Sequence, residues 1–213
     1  MLSAIRPLSG VTLLFASSVR NERNNDRVLE LVKWRLLRRG HDVRIVDPKE
    51  LGFPLLGSSW SNYTNPWLEA PEELIDLVQL VTSAERFIFT ACEYNRCISP
   101  ALSNILNYLP TSAVAYKTAG IISYSIGPVG GQMTASQLRL VLLSLGFLVV
   151  PHSMVLYSVE GRISQDGQPI GSHEQSIALV KEIDMLLGQV EYVSSAMHEY
   201  GANHSSYLPH VHP

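Results

Sequence analysis

The nine residues Ser17-Ser18-Val19-Arg20-Asn21-Glu22-Arg23-Asn24-Asn25 bring hydroxyls, amides and two arginines together directly ahead of a helix-like pattern. Free N–H groups at a helix start, the helix dipole and a forked guanidinium all suit a phosphate. A polar cap on a surface helix would carry the same residue types. The segment is neither a G-x-x-x-x-G-K-[ST] loop nor a G-x-G-x-x-G fingerprint, which turns the reading away from P-loop NTPases and from ordinary dinucleotide-binding dehydrogenases. A second segment, Cys92-Glu93-Tyr94-Asn95-Arg96-Cys97, again runs from an apolar run into a helix. A third, Ser123-Tyr124-Ser125-Ile126-Gly127-Pro128, has hydroxyls and a Gly-Pro turn that would let backbone N–H groups approach the edge of a ring. By itself, a serine-rich turn signals no more than a turn.

Other chemistries find little support. No G-x-S-x-G elbow is present, which lowers hydrolase readings. Cys92 and Cys97, the two cysteines, would close a very short disulfide loop and match neither C-x-x-C nor a zinc spacing. They read as small buried hydrophobes, with redox activity beside a ligand as the minor alternative. The histidines are scattered, and His204, His210 and His212 fall in a polar tail rather than a metal site. The expected catalytic set of side chains is therefore empty, as is the expected metal set.

Elements that position these segments alternate along the chain, as a parallel sheet with helices on both faces requires. Val11–Ala16 reads as a buried first strand. Asn24–Arg39 is a helix, with Leu29, Val32 and Leu36 at helical spacing and Gly40 at its C-terminal cap. Val43–Val46 is strand two. Glu72–Ser83 follows Pro71 as a helix, then Phe87–Thr90 as strand three and Ser99–Leu109 as a helix. Ala119–Ser123 is strand four, Gln132–Leu145 a helix and Phe147–Val150 strand five. Met154–Ile170, with Asp166-Gly167, predicts a hairpin-like excursion, and Ser172 to about Tyr200 the last helix. Leu51–Ala70 breaks the alternation. Its Phe53, Trp60, Tyr63 and Trp67 would cover a flat ligand, meet a partner subunit or fold onto their own domain.

A length of 213 residues suits a single domain and core, expected over 11–200 with an extension at 1–10 and a loose tail at 201–213. The formal net charge of -3 gives no global attraction to nucleic acid or an anionic membrane. No apolar run is long enough to span a bilayer, and the N-terminus carries no apolar signal region. A reducing, cytoplasmic setting is the default expectation.

Ligands of open parallel sheets bind beyond the carboxyl ends of the strands, where the three segments fall, and here a resemblance becomes specific. Glu93-Tyr94-Asn95, Ile98, Ser99-Pro100-Ala101-Leu102, Asn104 and Leu106-Asn107-Tyr108-Leu109 resemble the PEYN…SPALKNALDWL signature of NADPH-dependent FMN reductases. That family includes quinone, chromate and azo-dye reductases. Ser18, Arg20 and Asn25 are similar to its GS-x-R-x-x-S-x-N phosphate loop. Gly130-Gly131 through Gln137-Leu138-Arg139 to Gly146 and Pro151 resembles its third motif, so the likeness spans Val11 to Pro151.

The resemblance implies a flavodoxin-like three-layer α/β sandwich with a five-stranded parallel sheet in the order 2-1-3-4-5. It implies FMN as cofactor, NADPH or NADH as donor, a small-molecule electron acceptor, and a homodimer or homotetramer. The cofactor-binding residues it implies are Ser18, Val19, Arg20, Arg23, Asn25, Glu93, Tyr94, Asn95, Arg96 and Ser125. Four positions depart from the motifs: Ser17 stands for glycine, Arg23 for serine, Cys92 for proline and Arg96 for a small residue. Arg23 would replace a hydroxyl contact with charge, and Arg96 would put a long side chain beside the ring or the nicotinamide. Three readings follow: a two-step FMN reductase, a flavin-binding or interaction protein with little turnover, and a domain for another phosphorylated ligand.

Overall fold

A computed structural model describes residues 10–203. β1 (Val11–Phe15) leads into α1 (Asn25–Arg38) and β2 (Asp42–Val46). Short segments follow: α2 (Pro48–Leu51), a 3₁₀ turn at Trp60–Asn62 and α3 (Pro66–Glu69). α4 (Glu72–Ser83) precedes β3 (Ala84–Tyr94), which doubles back as β4 (Cys97–Ile98) before α5 (Pro100–Tyr108). α6 (Thr111–Val114), β5 (Thr118–Tyr124), α7 (Gln132–Ser144), β6 (Leu148–Leu156), α8 (Val159–Arg162) and α9 (His173–Asn203) complete the order.

The long strands pair in parallel in the order β2-β1-β3-β5-β6, the flavodoxin-like arrangement expected. β1, β3 and β5 lie inside the sheet and are covered on both faces, which is why they read as continuous apolar runs. On one face α1 and α9 pack Val28, Leu31, Val32, Leu36, Leu179, Ile183 and Leu186 against Leu14, Ile88 and Ile122. On the other, α4, α5 and α7 bring Leu74, Val78, Ile105 and Leu138 onto Phe15, Phe87, Phe89 and Ile121. Phe15 and Phe89 meet with ring centroids 4.7 Å apart, and Phe87 meets Phe147 edge-on at 5.0 Å.

Strand ends differ from their sequence limits in ways that matter for the site. β3 runs on to Tyr94 because its last residues pair with β4 through Glu93↔Ile98 and Tyr94↔Cys97. This antiparallel return was not expected. β6 extends through Pro151 to Leu156, so Met154 belongs to a strand and not to a hairpin excursion. Pro151 is tolerated because β6 is an edge strand and its register with β5 shifts between Ala119 and Ile121. Glu160-Gly161-Arg162 falls in the α8 turn. Asp166-Gly167 does make a tight reversal, closed by the Ser164 N–H on the Gln168 carbonyl at 2.8 Å and by an Ile163↔Pro169 bridge.

Much of the aromatic segment folds inward. Phe53 stacks on Tyr108 with centroids 4.8 Å apart, and Trp60 and Tyr63 pack against the core. Trp67 stays half exposed, edge-on to Trp60. Gly201–Asn203, expected in the tail, continue α9. The rest of the expected tail and residues 1–9 of the expected extension lie outside the described residues. Among those described, no helix is long and apolar enough to cross a membrane.

Candidate flavin site

The cradle begins where β1 ends. Asn25, fully buried at the start of α1, accepts the N–H of Ser17 at 2.6 Å and of Ser18 at 3.0 Å on its side-chain oxygen. Its amide nitrogen donates to the Thr90 hydroxyl at 2.8 Å, and that hydroxyl donates to the Phe15 carbonyl at 2.8 Å. Asn25 therefore shapes the loop from inside. Ser17 locks it to the next strand, accepting the Cys92 N–H at 2.9 Å, while Ser99 donates to the Ser17 carbonyl and caps α5 by accepting the Leu102 N–H at 3.2 Å. The N–H groups of Val19, Asn21 and Glu22 have no hydrogen-bond partner among the described residues, and Glu22 has a φ of 49°. The Arg20 N–H between them donates to the Ser18 hydroxyl at 3.3 Å, and open N–H groups beside a left-handed residue suit an anion.

Two arginines rise from this loop and differ in their partners. Arg20 is exposed, has no carboxylate partner among the described residues, and lays its guanidinium 3.8 Å from the centre of the Tyr94 ring. Arg23 turns into the protein, pairing with Asp26 at 2.8 Å and with both oxygens of Asp47. The hydrogen bond to Asp47 raises the Arg23 guanidinium above its ordinary range despite burial. Burial pulls the Asp47 carboxyl up, but hydrogen bonds from Arg23 and the Lys49 N–H outweigh it and hold the group below its usual range.

Beyond β3 the chain reverses in two residues, Asn95 and Arg96, with φ of 52° and 66°. This is the geometry of a tight hairpin turn, in which asparagine followed by glycine is favoured. The small residue that the family motif has here thus answers a backbone demand, and Arg96 meets it at a conformational cost. Its side chain is 64% exposed and comes within 3.9 Å of Glu93. Asn95 is exposed as well. Glu93 accepts the N–H groups of Met133 at 3.1 Å and Thr134 at 3.2 Å, capping the start of α7. Tyr94 reaches back, its hydroxyl 2.6 Å from that of Ser18. Burial raises the Tyr94 phenol above its usual range, so it is protonated at neutral pH.

After β5, the Ser125 hydroxyl accepts the Gly130 N–H at 3.1 Å and donates to the Gly127 carbonyl at 3.2 Å. Gly131 caps α7 with a φ of 84°, and a Cβ there would stand 3.1 Å from the Tyr124 backbone. Glycine thus lets α7 begin directly on the strand end.

Ser18, Arg20, Arg23, Glu93, Tyr94 and Ser125 line one cleft of about 330 Å³ at the carboxyl ends of β1, β3 and β5. Val19 lies at its edge, on an adjoining groove with Phe53 and Pro100. Asn25 lies beneath the floor, and Asn95 and Arg96 sit at the hairpin tip. Sequence reasoning missed Tyr124, Glu22 and Glu160 on the cleft wall, and Asp47 behind it. Among the described residues the buried Tyr124 phenol, beside Ser17 and Cys92, completes no hydrogen bond, and burial pushes it well above its ordinary range. Open loop N–H groups and Arg20 at a helix start fit a phosphorylated ligand, as FMN is.

The model of the NADPH-dependent FMN reductases matches residues 12–160, most of the chain and all three loops. The chain belongs to this family. FMN is accordingly its flavin and NAD(P)H the electron donor. Solved structures share the fold at low identity. The flavoenzyme NAD(P)H:(acceptor) oxidoreductase FerB of Paracoccus denitrificans superposes with a TM-score of 0.68 at 17% identity, covering 86% of this chain and 98% of its own. The NADH:FMN oxidoreductase EMOB gives 0.62 at 20%, covering 84% and 88%. The NAD(P)H:quinone oxidoreductase of Methanothermobacter marburgensis gives 0.57 at 15%, covering 84% and 95%.

Proposed function

We propose that this family member is an FMN-dependent NAD(P)H oxidoreductase that passes electrons to a small acceptor: a quinone, azo compound, metal oxyanion or free flavin. The observation that supports it most is the cradle itself, where open N–H groups and Arg20 meet at a helix start beyond β1. In this reading Ser18, the Val19 N–H and Arg20 hold the phosphate, while Asn25 fixes the loop that presents them. The backbone from Glu93 to Arg96 borders the ring on one side and the Ser125 turn on the other. FMN supplies hydride acceptance and onward electron transfer, so the protein needs no nucleophile or base of its own. Its side chains position the flavin and exclude water. Glu93 fixes one ring-lining segment to α7, and the Ser18–Tyr94 contact ties that segment to the cradle.

Turnover is tested by following NADPH and NADH oxidation with added FMN across quinone, azo, chromate and free-flavin acceptors. Consumption that depends on both FMN and an acceptor is expected. A second reading, a flavin-binding or interaction protein with little turnover, is favoured by Arg96 at the hairpin tip and by Arg20 stacked across the cleft on Tyr94. FMN uptake without consumption of either nucleotide would select it.

A further inference from the structure

Arg23 stands on the cradle loop, yet four of its five N–H donors are engaged by the protein itself. Its guanidinium makes four hydrogen bonds: Nε to Asp26 Oδ1 at 2.8 Å, Nη1 to Asp47 Oδ1 at 2.8 Å, Nη1 to the Ser18 carbonyl and Nη2 to Asp47 Oδ2. The side chain is 7% exposed and that of Asp47 10%. Two carboxylates neutralise the cation locally, so little of its field remains for an anion in the cleft. The Ser18 carbonyl belongs to the same planar trans peptide as the Val19 N–H, and the two point in opposite directions. Holding that carbonyl against Arg23 therefore directs the Val19 N–H away from the guanidinium. Asp47 is itself held, accepting the Lys49 N–H at 2.9 Å as the cap of α2. Arg23 and Asp47 thus form a clamp from the end of β2 to the cradle peptide.

We propose that Arg23 is a positioning residue: with Asp47 it sets the Ser18–Val19 peptide to receive the flavin phosphate, and Arg20 supplies the cation that the phosphate meets. This rests on the flavin reading above. It also makes Asp47, which no motif marks, a determinant of the preference for FMN over riboflavin.

Titrations of FMN and riboflavin, read by flavin fluorescence, test the clamp on the parent, Asp47→Asn, Arg23→Gln, the double variant and Arg23→Lys. Asparagine preserves the α2 cap. Each single variant is expected to raise the FMN Kd about tenfold, and the double variant no further, because the two residues act as one unit. Arg23→Lys keeps the charge without the fork and does not rescue binding. Riboflavin, which lacks the phosphate, binds all variants like the parent. The salt dependence of FMN binding is unchanged in the double variant, which removes one charge of each sign and no phosphate contact.

FMN binding as tight or tighter in Asp47→Asn would overturn the clamp, because a freed Arg23 would then be contacting the phosphate. So would parent-like affinity in Arg23→Lys, or equal weakening of both flavins, which would mark a general loosening of the fold. If Arg23→Gln does not fold, Asp47→Asn and Arg23→Lys decide alone. A parent that binds neither flavin removes the flavin reading itself, whereas a parent that binds FMN beside an unaffected Asp47→Asn removes the clamp alone.

Discussion

Arg20 and Arg23 lie three positions apart on one loop, and their environments give them different work. Arg20 keeps its charge facing the cleft over Tyr94, while Arg23 is enclosed by carboxylates. Replacing Arg20 by glutamine is expected to weaken FMN binding by roughly tenfold or more, the value of a charged hydrogen bond, and to leave riboflavin binding unchanged. Parallel titration calorimetry with the two flavins checks this. Arg96 carries a different prediction. A non-glycine residue at a φ of 66° on an exposed turn is strained. Arg96→Gly is therefore expected to stabilise the protein by about 1 kcal/mol in denaturant unfolding, the cost of a left-handed conformation for an L-residue.

At the scale of elements, the hairpin β3–β4 and the start of α7 are built on one another. Glu93 caps α7, the Thr134 hydroxyl donates to the Cys97 carbonyl at 3.0 Å, and the Gln137 amide donates to the Arg96 carbonyl at 2.9 Å. Gly131 makes the fit possible. Gly131→Ala is expected to lower stability by about 2 kcal/mol through strain and contact with the Tyr124 backbone, measured by urea unfolding. Strand order and most helix limits were legible in the sequence because buried parallel strands and amphipathic helices have distinct periods. The β4 return was not, since a two-residue strand has no period to detect. Nor was the full length of β6, because Pro151 resembles a strand end unless edge position is known. Of the site, Ser18, Arg20 and Glu93 were legible from the motifs, and so was the loop that Asn25 shapes. Asp47 was not, as it stands behind the cleft on an element that carries no motif, and Tyr124 lay in a segment read for its turn and not for its phenol. The engagement of Arg23 likewise depends on Asp47, 24 positions away.

Across the whole molecule, the end of the sheet opposite the cleft is tied by a partly buried polar network. Glu191 of α9 accepts both a bidentate contact from Arg39, with each oxygen at 2.6 Å, and the His41 ring at 2.8 Å. His41 in turn meets the Thr12 hydroxyl at 2.8 Å. Burial pulls the Glu191 carboxyl up, but hydrogen bonds from Arg39 and His41 outweigh it and bring it down to about 2 from an ordinary 4.5. Because the folded value is depressed, the stabilisation is complete above the ordinary value and is lost as pH falls through about 2. Glu191→Gln is expected to cost about 2 kcal/mol at pH 7, with the gap to the parent closing as the solution is acidified toward that folded value. Denaturant unfolding across this pH range measures it. Leu55, Trp67 and Leu68 on the aromatic segment are exposed; we propose that they meet a second copy of the chain, so that light scattering is expected to give a mass above the 23.6 kDa of one chain, and a mass of one chain would rule this out.

The most direct test of the central claim is the visible spectrum of the purified chain titrated with FMN and then with NADPH in the absence of oxygen. Saturable uptake of FMN with quenched flavin fluorescence, followed by bleaching of the flavin absorbance on adding NADPH, is the expected result. A chain that leaves FMN free and unreduced at flavin concentrations well above its own would contradict it.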